Sequence, residues 1–149
     1  IKLEDQALVA GCGNDASHAV TSAVQQSNNN NRAGNPAIDL LVAYTTAAKN
    51  STGGTSGMTS KINLAISETN SAYGDSGVTQ RLVLVHKVEM IGYSEPSSFS
   101  QLLYDITGTN DGKMDNVHSL RDQYNADCVA LICQNGQYCG IAYLMTNVS

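Results

Sequence analysis

Tryptophan is absent from this 149-residue chain, phenylalanine occurs once, and only 14% of the residues are charged. With so few large aromatics, Val, Ile, Leu and the seven tyrosines must do most of the packing. Eight Lys and Arg stand against thirteen Asp and Glu, a net charge of −5. No basic cluster is available to neutralise phosphates, which argues against nucleic acid as a partner. No apolar stretch approaches the roughly 20 residues that cross a bilayer, so no membrane span is expected. No basic-then-apolar leader opens the chain at Ile1; either a signal peptide has been removed or the start is trimmed.

What is present is a surface rich in Asn, Ser, Thr and Gly around an apolar fraction of 42%, enough for the modest core of one domain with a tail. That neutral polar style, together with four cysteines, points to a secreted protein of an oxidising compartment. Cys128 and Cys133 share one strand-like run, DCVALIC. At about 3.3 Å per residue they stand roughly 16 Å apart on opposite faces, beyond the roughly 7 Å that a disulfide spans. They are not expected to bond each other.

The organisation changes near residue 36. QQSNNNNRAGNP, residues 25–36, is poor in apolar residues and reads as a linker, with Arg32 open to a trypsin-like cut. Upstream, Cys12 sits between two glycines, with His18 nearby. From Ala37 the pattern is regular. AIDLLVAY is a strand buried on both faces, followed by a polar loop to Gly57. Met58, Ile62, Ala65, Ile66, Thr69 and Tyr73 fall at helical spacing, with Thr55 or Ser56 as N-cap. VTQRLVLVHKVEMIGY alternates as a long strand, placing Leu82, Leu84, His86, Val88 and Met90 on one face. SFSQLLYDI is a short helix, and Met114, Val117, Leu120, Arg121 and Tyr124 mark the face of another. ADCVALICQ is a second buried strand and GIAYLM the last. This order predicts an α/β domain around a mostly parallel sheet.

No catalytic set is complete within these residues. His18, His86 and His118 include no pair at i and i+4, so the zinc-binding HExxH helix is absent from this sequence. His86 and Glu89 lie at an odd offset on a strand and face opposite ways. For His86 and His118 the favoured reading is a partly buried, satisfied histidine. There is no G-x-S-x-G and no phosphate-binding glycine loop. TNDGKMD lacks the alternating ligands and closing Glu of a calcium loop, and reads better as a turn before a helix. Asn50 and Asn147 head N-x-[ST] triplets, which matter only in a glycosylating source.

IDLLVAYTTAA, INLAISETNSAY with SGV after it, DGKMDNVHSLRDQYNADCVALI and YCGIAYLM resemble, in that order, the bacterial reprolysin-like zinc peptidases of the metzincin clan. The resemblance is collinear from about Ala37 to Met145. It implies a twisted, mostly parallel sheet with an antiparallel edge strand, as in the N-terminal subdomain of a metzincin. It implies zinc as cofactor, with ligands outside this sequence, and peptide or protein as substrate. Gly140, Ile141, Ala142, Tyr143 and Leu144 would form the edge strand along the cleft, pairing with an extended substrate backbone. Residues 1–36 would be a propeptide end and linker, with Cys12 as the candidate thiolate that closes the zinc site in a zymogen. If so, three cysteines remain for residues 37–149, an odd number that fits one partner beyond Ser149, and a fully reduced or otherwise paired set is equally allowed by the sequence. The family places a further strand between the one like 127–134 and the edge strand; without it GIAYLM has no neighbour.

The expectation is thus part of a secreted zinc metalloendopeptidase, an incomplete subdomain over 37–149, inactive alone and completed by the remainder of the catalytic domain or a partner chain. The competing expectation is a non-catalytic secreted binding or assembly module that uses an open sheet edge. A small-ligand α/β domain ranks third, for want of a cofactor loop.

Overall fold

The computed structural model describes residues 36–136 and 139–143. The expected propeptide end, Cys12 and Leu144 lie outside the described residues. The elements run β1 (Ala37–Thr45), α1 (Thr46–Ser51), α2 (Thr55–Asp75), β2 (Arg81–Met90), α3 (Phe99–Thr107), α4 (Asn116–Gln123) and β3 (Cys128–Ile132). The three strands form one parallel sheet in the order β2-β1-β3. The expected α/β class and parallel sheet are therefore present.

The central strand has the composition its place demands. Leu40, Val42 and Tyr44 face one side and pack with Ala48, Met58 and Ile62 of α1 and α2. Leu41 and Ala43 face the other and pack with Met90, Met114, Val117 and Ala126. Burial on both faces explains why β1 reads as a continuous apolar run instead of an alternating one. Asp127 fastens the strand's start: the Asp39 amide donates to its carboxylate at 2.8 Å, and its own amide donates to the Asp39 carbonyl at 2.8 Å.

Four details depart from expectation. The stretch after β1 is not all loop, because Thr45 caps the short helix α1, its hydroxyl accepting from the Ala48 amide at 3.0 Å. Gly54, not Thr55 or Ser56, is the cap residue of α2, at φ +90°. The alternation of β2 also breaks. The register runs Leu40↔Leu84 and then Leu41↔His86, so Val85 is an inserted residue. One extra residue turns every later side chain to the other face. Leu82 and Leu84 thus join the α2 side, whereas Val85 and Val88 join the opposite cluster.

The last departure concerns β3, expected to be a second buried strand. It is an edge among the described residues. Val129 and Leu131 pack beside α4, and Ile132 reaches the α2 side, but Cys128 and Ala130 are exposed. Their apolar character is that of an interior strand on an open border.

Gly57 fixes how α2 starts. A Cβ added there would lie 1.7 Å from the Thr52 carbonyl oxygen, which cannot move without disturbing α1. Gly57→Ala is therefore expected to cost about 2 kcal/mol, although Gly→Ala in a helix ordinarily gains. Urea unfolding of the two proteins measures the difference, and an unchanged midpoint would refute the clash.

Candidate functional site

A groove of roughly 710 Å³ runs along the outer border of β3. Phe99, Leu102 and Ile106 of α3 and Val117 of α4 contribute its apolar wall, and residues 139–143 lie along it. The latter include four of the five residues expected to align substrate. Gly140, Ile141, Ala142 and Tyr143 are exposed and irregular, with no strand assigned to them. The antiparallel edge strand implied by the resemblance is thus not formed. A strand there needs a neighbour for its N–H and C=O groups, and β3 pairs only with β1 among the described residues. Ile141 and Tyr143 are 42% and 57% exposed, leaving their apolar surface available at the border.

At the C-terminal ends of the strands, Glu95 joins three segments. Its carboxylate accepts the Thr45 hydroxyl, the Gln134 amide at 2.9 and 3.1 Å, and the Asn135 amide at 2.9 Å. A second carboxylate, Asp105, projects inward from α3 and is 1% exposed. It accepts the Tyr93 hydroxyl at 2.6 Å, the Gln101 amide at 2.7 Å and the Lys113 ammonium at 3.1 Å on each oxygen. Burial, followed by the bond to Asp105, pushes the Tyr93 phenol well above its ordinary range. Tyr93 is therefore a fixed donor at neutral pH and not a proton shuttle. Sequence reading passed over both acids. Asp105 carried a signal, since it shares a helical face with Phe99 and Leu102. Glu95 carried none, because its partners lie 39 or more residues away.

The titratable groups near the groove serve structure. His118 donates through Nε2 to the Gly108 carbonyl at 2.8 Å. His86 stacks on Tyr124, with ring centres 4.0 Å apart and planes 8° from parallel. It faces away from Glu89, whose carboxyl is lowered first by the Lys49 bond and then by Thr46. Burial, then the charge of Asp127, raises the Cys128 thiol; burial, then Glu95, raises Cys133. Neither is an activated nucleophile, and neither is in a disulfide. In the TNDGKMD turn, Asp111 and Asp115 accept amides of residues 111–113. That is a turn preceding α4, as expected.

The family model for metallo-peptidase family M12B, reprolysin-like, matches residues 35–149. The chain belongs to this family. Among relatives of this reprolysin-like chain, the peptidyl-Asp metalloendopeptidase of Stenotrophomonas maltophilia K279a is 40% identical over 110 residues. That of Xanthomonas campestris pv. campestris is 38% identical over 110 residues. Both alignments cover 73% of this chain and 26% of the relative. A third, from Pseudomonas aeruginosa, is 34% identical over 116 residues, covering 72% of this chain and 18% of the relative. The chain therefore spans about a quarter of the length of the first two relatives. No solved structure matches it.

Membership of a metallopeptidase family implies zinc. Among the described residues, no three His, Cys, Asp or Glu side chains converge to hold a metal ion. His86, His118, Asp105 and Glu95 each already serve the contacts described above. The described residues do not fit the metal, and no catalytic step is derived through it. Nor, among them, is any helix long and apolar enough to cross a membrane.

Proposed function

We propose that this chain is the N-terminal subdomain, preceded by a propeptide end, of a secreted zinc-dependent metalloendopeptidase. The observation that carries the reading is the family match across residues 35–149. In this reading, the sheet and its helices are scaffold, and Gly140–Leu144 align an extended peptide substrate through backbone pairing. Alternate side chains would then meet substrate and protein in turn, with Ile141 and Tyr143 on one side. Zinc ligands and the general base come from the remainder of the catalytic domain. Residues 1–36 keep the enzyme latent, with the Cys12 thiolate on the metal.

The test compares the 149-residue chain with the polypeptide extended to the length of its relatives, on casein and on aspartate-containing fluorogenic peptides. The chain alone is expected to give no zinc-dependent hydrolysis. The extended polypeptide should hydrolyse, lose activity to 1,10-phenanthroline and regain it with zinc. Cys12→Ser should raise the activity of its unprocessed form, and unchanged latency would remove the switch. Hydrolysis by the 149 residues alone would overturn the division of labour. An inactive extended polypeptide would favour the other reading, a binding module, which the exposed apolar border of β3 supports.

A further inference from the structure

One carboxylate ties together the ends of the sheet next to the groove. Glu95 lies in the connection from β2 to α3 and receives two consecutive amides, Gln134 at 2.9 and 3.1 Å and Asn135 at 2.9 Å. Adjacent N–H groups converging on one anion form a backbone nest, and bonds to an ionised acceptor are roughly twice as strong as neutral ones. The Thr45 hydroxyl completes the set. Thr45 is itself fully buried and caps α1, so the acid is anchored to the central strand. Asn135 returns the grip: its side-chain amide donates to the carbonyls of Pro96 and Ser97, each at 2.9 Å. The chain leaving β3 is therefore held from both directions.

Residues 139–143 begin four positions after Asn135 and, like Asn135, line the groove. We infer that Glu95 is a positioning residue for the substrate-aligning segment 139–143, acting through the Gln134 and Asn135 amides and touching no substrate itself. The inference rests on the alignment role proposed above. It requires that losing Glu95 weaken substrate alignment and leave the chemical step intact.

Glu95→Gln tests it, since an amide offers one acceptor oxygen where two amides and a hydroxyl now bind, and turns an NH2 group towards donors. The chain has no tryptophan, so Tyr143→Trp supplies a single fluorescent reporter on the segment. In the 149-residue chain, Glu95→Gln should speed hydrogen exchange at Gln134 and Asn135 about tenfold or more, with Leu41 and Ala43 within about twofold. The reporter's anisotropy should fall. In the zinc-loaded extended enzyme, KM should rise about tenfold while kcat stays within about twofold. Glu95→Asp keeps the charge on a shorter arm and should give intermediate values; it carries the comparison if the glutamine variant does not fold. Exchange unchanged at 134–135, exchange accelerated equally in β1, or a fall in kcat at constant KM would each overturn the inference. An inactive wild-type extended enzyme would defeat the peptidase reading instead, and the exchange and anisotropy data would still decide whether Glu95 sets the segment.

Discussion

Asp105→Ala is expected to lower stability by about 3 kcal/mol, a drop in Tm on the order of 15 °C. The side chain is fully enclosed and ties α3 to two loops, through Tyr93 on one side and Lys113 on the other. Its removal leaves the half-buried Tyr93 hydroxyl without its acceptor, which costs more than that bond was worth net, while the exposed Gln101 amide turns to water. Lys113 is 43% exposed and recovers water, so it adds little to the loss. Asp105→Asn, nearly isosteric, should cost less than the alanine variant and separates the charge from the shape. The charge has a pH signature. Burial pushes the Asp105 carboxyl up, but the bonds from Tyr93, Gln101 and Lys113 outweigh it and hold the group below its ordinary value of 3.8. A folded-state pKa below the unfolded one stabilises the native state above about pH 4, and that contribution is lost as pH falls through the folded value. The wild-type Tm should therefore fall more steeply than that of Asp105→Asn between pH 5 and 2.5. Parallel curves across that range would show that the carboxylate's charge contributes nothing.

Asp105 also marks how far the fold was legible. Local periodicity located α2, α3, α4 and the three strands, because each buries a stripe or face whose spacing its own residues set. A helix-face reading of SFSQLLYDI already puts an acid among Phe99 and Leu102, and an acid on a buried face demands partners. The Val85 insertion was not legible, since LVLVHKV alternates well enough to hide one extra residue. Only pairing with Leu40 and Leu41 exposes it. Glu95 was invisible for a related reason: its meaning depends on amides that the fold brings from the far end of the chain. Of the candidate site, the apolar character of GIAYLM could be read directly. Its conformation could not, because a strand is a property of a pair.

The sharpest contrast lies between two residues paired across β1 and β3. Val42 and Ala130 are register partners on one face of the sheet, and both sit in runs that read as buried strands. Val42 is 3% exposed, packed in the cluster with Met58 and Ile62 of α2, whereas Ala130 is exposed and only Ile132 of β3 reaches that cluster. Val42→Arg is expected to prevent folding, at a cost of at least about 4 kcal/mol, since it buries an unpaired charge in register with Lys87. Ala130→Arg should change stability by no more than about 0.5 kcal/mol in the same chain, because its guanidinium stays in water. Circular dichroism with urea unfolding measures both, and comparable losses at the two positions would mean that the β3 face is covered in solution. In the extended polypeptide the outcome at Ala130 should change. A strand this apolar on its exposed face has the composition of one with protein on both sides. If further chain covers that face, Ala130→Arg becomes a buried charge, and stability and hydrolysis fall together. If it stays neutral there too, the face remains open in the whole protein, and the groove beside it is a surface for partners, not the inside of a catalytic domain.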